Sequence, residues 1–471
     1  MGILSVIIAA SAAGAAVVAV IPPGRERIMR ITAFSASGLG LAFSCVALFL
    51  YALPSGGLQF SEQYRWIEEI GVTVSFSSDG LGLLVLAFVN LLGLLVVAFP
   101  FDCGARKNEY YFWLLGSQAA FSGLASSEGA FTFAGFWMLS LVPPYFLAGI
   151  WGGRDRERAA FKYFTHQFCW AIALVAVVLA LQSGHIPARF DLWASALLAA
   201  AVLARAPVVP LHLWARDYFT QTPGHIAALA AGSGSACALY AVMRFIIPAT
   251  AAGFTPLSPY VIAGGALSMM AAALLALAQK NLKAVAGCLA MAGSAASLCS
   301  IAALNGAGLT GGALALLVFP AAAALLLLTA EMLSMRFATA VFDDIHGLCE
   351  IMPGFGIATG FALAALAAVP LSGGFIAVFL MLVGILKVSV WCAVSVMLAF
   401  LCVAGVVVRI IGSMIWGKYN KEAVPPPLAW TERIALVPLP AALVFLGIYP
   451  APALDYISTA VALVQRALKT L

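Results

Sequence analysis

The sequence predicts an all-α polytopic membrane protein of about fourteen transmembrane helices. Two features of the composition and one of the charge pattern predict it. Hydrophobic residues make up 63% of the 471 residues and charged ones 9%, against roughly 45–50% and 25% in soluble domains, so no water-facing surface can be built from this chain. The apolar runs are long and unbroken, reaching the ~20 residues that carry a helix across a bilayer. In lipid only helices and closed barrels satisfy the backbone, and the runs lack the alternation of barrel strands. Every second loop is basic, as expected of a chain threaded back and forth through a membrane.

By length and polarity the spans fall near 3–21, 31–53, 80–101, 109–126, 129–150, 159–181, 189–206, 222–247, 257–278, 281–304, 308–333, 354–387, 389–416 and 433–451. The first has no positive residues before its apolar run, so it reads as a retained helix and not as a signal peptide. The stretch 54–78 is too short for a core of its own. Its alternating Val72, Val74 and Phe76 predict a short hairpin on the outer face. The seventh span ends at Pro207 and Pro210. The twelfth, 354–387, holds Pro370, Gly373 and Gly374 at its middle and reads as one discontinuous helix. Two interrupted helices in corresponding halves mark inverted repeats. The chain then reads as a single transmembrane domain, 1–471: N-terminal helices 1–108, a five-helix repeat 109–247, its inverted counterpart 257–416, and C-terminal helices 433–471 ending in an amphipathic segment near 454–471.

The basic loops carry Arg25, Arg27 and Arg30, then Arg106 and Lys107, Arg154, Arg156 and Arg158, Arg216, Lys280 and Lys283, and finally Lys418, Lys421 and Arg433. They face the cytoplasm, which leaves both termini outside. This placement accounts for the net charge of +5 without a nucleic-acid partner. The nine cysteines form no CxxC pair; Cys45, Cys169, Cys237 and Cys402 sit in apolar segments and read as small buried residues. No Gly-rich phosphate loop is present, so no cofactor is expected. Asp343, Asp344 and His346 are too thin a set to imply a metal site; a solvated turn or a subunit contact is the better reading.

Residues 205–245, RAPVVPLHLWARDYFTQTPGHIAALAAGSGSACALYAVMRF, combine a cation in an apolar helix, a proline break, an amphipathic turn and a second helix. This resembles the best-known segment of the proton-conducting antiporter-like family, which includes the L-, M- and N-type subunits of respiratory complex I, the large Mrp antiporter subunits and membrane subunits of energy-converting hydrogenases. Three further stretches are similar to the M-type subunits: LQFSEQYRWIEEIGVTVSFSSDGLGLLVL (58–86), FWMLSLVPPYFLAGIWGG (136–153) and QKNLKAVAGCLAMAGSAASL (279–298). The resemblance runs from about residue 58 to about 380. It implies a proton path of buried Glu, Lys and His at mid-membrane, where burial and neighbours tune protonation.

The chain departs from that path. Where the resemblance implies Glu in the fifth span stands Met138; where it implies Lys in the eighth, Ala236; His in the tenth, Gly293; Lys or Glu in the twelfth, Val378. Where it implies Lys in the seventh span stands Arg205, which does not readily release a proton. The implied machinery is dismantled while the fold signature persists.

The ionisable residues that remain are the proton-path candidates. Arg205 is either a fixed charge biasing neighbouring protons or a structural residue that snorkels or pairs, with the structural reading ahead. His166 is a relay group or, more often for a lone helical His, a packing residue. His212 and His225 either line an entry path or satisfy backbone groups freed by the proline break. Asp217 reads as interfacial. Glu331 is either a replacement acid or, preferably, a carboxylate paired with Arg336. Lys387 reads as a snorkelling residue at a helix end.

The function expected first is a membrane-arm subunit of a redox complex resembling NADH:quinone oxidoreductase or a membrane-bound hydrogenase. It would lie in a prokaryotic-type cytoplasmic membrane beside other membrane-arm subunits and a quinone-reducing or hydrogenase peripheral arm, as a non-pumping or altered spacer. The alternatives are the membrane component of a stand-alone or two-component ion or bicarbonate transporter, and a purely structural paralogue kept for assembly.

Overall fold

A computed structural model describes residues 2–22, 24–67, 69, 72–104, 106–182, 190–419, 428 and 430–469. Among them eleven helices are long and apolar enough to cross a membrane. The expected spans at 109–126, 189–206 and 354–387 fall on helices that are less apolar or shorter: Lys107–Ser126, Asp191–Arg205, and the pair Pro353–Leu366 and Gly373–Leu386. The chain divides into two compact units. One comprises Met1–Arg205, Ala236–Leu257 and Ala453–Leu471, the other Ala206–Ser235 and Ser258–Pro452.

The first unit opens with α1 (Ile3–Val20) and α2 (Glu26–Leu50), followed by the hairpin β1 (Gln59–Ile67) and β2 (Val72–Ser78). The strands pair antiparallel, with Glu62 opposite Phe76 and Tyr64 opposite Val74, as the alternation in 72–76 predicts. The hairpin is tied to α1 by Glu62, whose carboxylate accepts the Leu4 N–H at 2.9 Å and the Ser5 N–H and hydroxyl. A carboxylate here meets the unsatisfied N–H groups of a helix N-terminus. α3 (Gly80–Ala98) starts at Asp79, which caps it by accepting the Gly82 N–H at 2.6 Å.

α4 (Lys107–Ser126) packs on α1, α2 and α3. Inside, Asn90 donates to Ser44 and Ser122 (both 3.1 Å), Gln118 donates to Asn90 (2.7 Å), and Ser37 donates to Gln118 (2.7 Å). Such neutral polar contacts join helices that lipid cannot drive together. α5 (Ala130–Leu139), α6 (Val142–Trp151), α7 (Arg156–Gln182) and α8 (Asp191–Arg205) complete the run. A turn at Ser140 and Leu141 separates α5 from α6 inside what the sequence reads as one span; Pro143 and Pro144, in the first turn of α6, lack the N–H groups that would bond back across it.

After α8 the helix stops, as Pro207 and Pro210 require, and resumes as α9 (Ala215–Gln221). α10 runs from Gly224 to Ala249 through π-helical turns at Ala230–Gly234 and Val242–Ile246. Its residues up to Ser235 belong to the second unit and the rest to the first.

In the second unit, α11 (Ala251–Ala278), α12 (Leu282–Ala302) and α13 (Gly306–Phe337) follow. α12 and α13 are buried throughout their apolar windows. Glycine lets them approach: a Cβ on Gly312 would lie 2.6 Å from Ile301. Ser297 and Ser300 donate to the carbonyls of Gly312 (2.9 Å) and Gly308 (2.7 Å). Then come α14 (Pro353–Leu366) and α15 (Gly373–Leu386), separated by a non-helical 367–372 that carries the anticipated break. They are followed by α16 (Val390–Ile410), α17 (Trp430–Leu436), α18 (Pro438–Ile448) and the terminal α19 (Ala451–Lys469).

Two side-chain expectations are corrected. Cys45 and Cys169 are exposed, while Cys237 is buried and Cys402 half-buried; an apolar segment here can face lipid as well as core, and hydropathy does not separate the two. Glu331 does not pair with Arg336. Residues five apart on a continuous helix point to different faces, since only i+3 and i+4 positions are neighbours. Arg336 instead meets Glu432 at 2.6 Å.

Candidate functional site

Two buried charged centres stand out, one in each unit. In the first unit Arg205 ends α8 with only 4% of its surface exposed. One guanidinium nitrogen donates to Ser140 Oγ at 2.7 Å, another to the Trp137 carbonyl at 3.4 Å. The group lies over the Trp137 ring (4.8 Å to the centroid) and the Phe121 ring (5.5 Å). Among the described residues no carboxylate lies within ion-pair distance, and Nε has no hydrogen-bond partner. Aromatic faces attract a guanidinium electrostatically, so the rings and the hydroxyl stand in for a counter-ion. Tyr163 from α7 and Cys237 from α10 lie within electrostatic range of it. Such a group holds a fixed charge and exchanges no proton near neutral pH.

In the second unit Glu331 of α13 takes the Lys283 ammonium at 2.5 Å and the Gly224 N–H at 2.6 Å. Lys283 enters from the first turn of α12, oriented by Asn281, whose side chain caps that helix by accepting its N–H. Gly224 opens α10, and a Cβ there would collide with the Leu327 carbonyl of α13; glycine lets this N–H reach the carboxylate. His225 follows, fully buried and within electrostatic range of both Glu331 and Lys283. Three helices thus bring a carboxylate, an ammonium and an imidazole into one buried cluster of ionisable groups, which is costly to hold at membrane depth and marks a candidate site.

The other candidates lie apart from these centres. His166 is half-buried on α7, next to Gln167, which donates to the Ala204 carbonyl at 3.1 Å. His212 and Asp217 are half-buried at the break before α9 and on α9; the His212 carbonyl accepts the Ala215 N–H at 2.9 Å. Lys387 is exposed at the end of α15. Asp343 pairs with Arg409 at 3.4 Å, and His346 Nδ1 meets the Ser413 carbonyl at 2.6 Å, so the acidic turn is tied to α16 and the turn that extends it. Among the described residues no three His, Cys, Asp or Glu side chains are grouped to hold a metal ion.

The positions that the resemblance assigns to lost charges are occupied as follows. Met138 is half-buried on α5, Ala236 buried on α10 and Val378 buried on α15. Gly293 packs so closely that an added Cβ would lie 2.5 Å from Phe319 Cβ, leaving no room for any longer side chain without movement of Phe319.

Sequence reasoning missed two partners. Lys283 was counted only as a loop charge, although it falls in the first turn of an apolar helix. Asp79, inside the quoted stretch 58–86 but given no role there, is buried, accepts the Tyr240 hydroxyl at 3.2 Å and lies near Arg244, which donates to Ser77 at 3.1 Å. The clue was an aspartate placed directly before an apolar run, the mark of a helix cap.

The family described as NADH:quinone oxidoreductase/Mrp antiporter, transmembrane, matches residues 128–403, more than half of the chain. The chain belongs to this family. It is similar to NADH-quinone oxidoreductase subunit M of Rhodobacter capsulatus, with 26% identity over 98% of this chain and 96% of that one. Among solved structures, a chain of respiratory complex I from Thermus thermophilus with bound NADH superposes with a TM-score of 0.88 at 22% identity, covering 99% of both chains. A chain of the Mrp complex from Dietzia sp. DQ12-45-1b gives 0.85 at 20% identity over 99% of this chain and 98% of that one. At these identities the structural likeness speaks for the fold. Both charged centres therefore sit on the fold of NADH:quinone oxidoreductase and Mrp antiporter subunits.

Proposed function

We propose that this chain is an M-type antiporter-like subunit in the membrane arm of a complex I-type redox assembly, and that its own proton path is degenerate. The observation that carries the first part is similarity to subunit M over nearly the whole of both chains. The second part rests on Met138, Ala236, Gly293 and Val378 standing where the family implies ionisable groups, on the room at Gly293 being taken by Phe319, and on Arg205 being held by rings and a hydroxyl with no carboxylate at hand. A guanidinium fixed in this way opposes the passage of cations. The chain then crosses an inner membrane about fourteen times, with both termini outside, as two inverted five-helix repeats. Its partners are neighbouring membrane-arm subunits, with a quinone-reducing or hydrogenase arm beyond them, and it acts as a spacer.

Two measurements test this reading. Gentle extraction followed by mass spectrometry of co-purifying proteins should recover other membrane-arm subunits; recovery of none would sink the first part. In the purified complex reconstituted in liposomes, the double variant Lys283→Met with Glu331→Leu should leave the protons moved per electron pair unchanged. A fall in that ratio at constant electron flux would show that the chain conducts.

A further inference from the structure

In the second unit α14 on one side and α17 with α18 on the other leave a groove of about 620 Å³. Ile357, Ala358 and Phe361 line one wall, and Val437, Ala441 and Val444 the other. The one charged side chain of the lining is Arg433. Its neighbour Glu432 turns away and is neutralised by Arg336. Arg433 itself is exposed and has no ion-pair partner among the described residues.

The depth of the groove follows from its residues. From Arg433 to Val444 a helical chain rises about 1.5 Å per residue, roughly 16 Å in all, which is half of a hydrocarbon core about 30 Å thick. The level of its mouth is marked by aromatics. Trp430, a turn before Arg433, is 74% exposed, and Trp416, at the end of the preceding helical segment, is 67% exposed. Exposed tryptophans at helix ends sit at the headgroup level. A cation without a partner among the described residues, at headgroup depth above an apolar trough one leaflet deep, is complementary to a lipid with a negative head and a long tail.

We propose that this groove binds an anionic phospholipid, with one acyl chain along α14 and α18 and its phosphate on Arg433. The test uses the full chain, delipidated in mild detergent and titrated with phosphatidylglycerol or phosphatidylcholine of the same acyl chains, with bound lipid counted by native mass spectrometry. Phosphatidylglycerol should bind more tightly. Arg433→Gln should weaken it about fivefold, the worth of one cation near a headgroup, and weaken phosphatidylcholine less, because its own choline already offsets the phosphate charge. Ala441→Trp, which fills the trough, should remove both adducts, and Arg27→Gln, a surface cation of the other unit, should change neither. Equal affinity for the two lipids, or no effect of Arg433→Gln, overturns the proposal. A photo-crosslinking residue at position 437 in native membranes gives an independent reading: a lipid adduct supports the proposal, and a protein adduct places a partner subunit in the groove and overturns it.

Discussion

Replacing Glu331 by Gln should be among the most damaging single changes in the second unit. The Lys283–Glu331 contact is 2.5 Å long, with side chains only 12% and 8% exposed. Gln keeps an oxygen for the Gly224 N–H, now at 2.6 Å, but leaves the Lys283 ammonium buried without a counter-charge. Breaking one half of a buried pair costs about 3–5 kcal/mol. Removing both charges, by Lys283→Met with Glu331→Leu, strands only the Gly224 N–H and should cost about 1–3 kcal/mol. The double variant is therefore expected to be more stable than the single one. Thermal unfolding in nanodiscs, followed with a thiol-reactive dye, reads this directly, because Cys237, Cys288 and Cys299 are buried in the native chain. Unfolding of such a protein is a rate-governed event, so variants are compared at one heating rate. Equal Tm values for wild type and Glu331→Gln, or a double variant weaker than the single, would refute the reasoning.

Three further outcomes follow from the same contacts. Gly293→Ala should lower stability by about 1–3 kcal/mol through overpacking against Phe319, and Phe319→Ala in the same chain should relieve part of that loss in the dye assay. Ser140→Ala removes the 2.7 Å acceptor of the Arg205 guanidinium and should cost about 1–3 kcal/mol; Arg205→Met, which deletes the buried charge itself, should cost less than Ser140→Ala, and the reverse order of Tm values would contradict the description of Arg205 as a caged cation. Glu62→Gln weakens the charge at the start of α1 by about 0.3–2 kcal/mol, so amide exchange of Leu4 and Ser5 should quicken while that of α3 stays as it was.

The hairpin at 59–78, the breaks at Pro207 and at 367–372, and most of the span boundaries were legible because each rests on local chemistry. Alternation needs two faces, proline removes an N–H, and lipid demands an apolar run of a set length. The family too was legible, since its motifs are short stretches with fixed spacing. The partner of Glu331 was not. Arg336 is close along the chain, but it points elsewhere on the helix, and the true partner lies 48 positions upstream on α12. The exposure of Cys45 and Cys169 was equally hidden, because a membrane helix is apolar on its lipid face and its core face alike.

The sequence by itself therefore determined that the chain is apolar enough to live in a membrane, where most of its helices run and which family it joins. Only the tertiary structure decided what surrounds the charges that remain: rings and a serine around Arg205, an ammonium and a helix N-terminus around Glu331, an open trough below Arg433. The physical reason is that a helix is fixed by neighbours within a turn or two. The environment of a buried charge is fixed by side chains that meet only when distant helices pack.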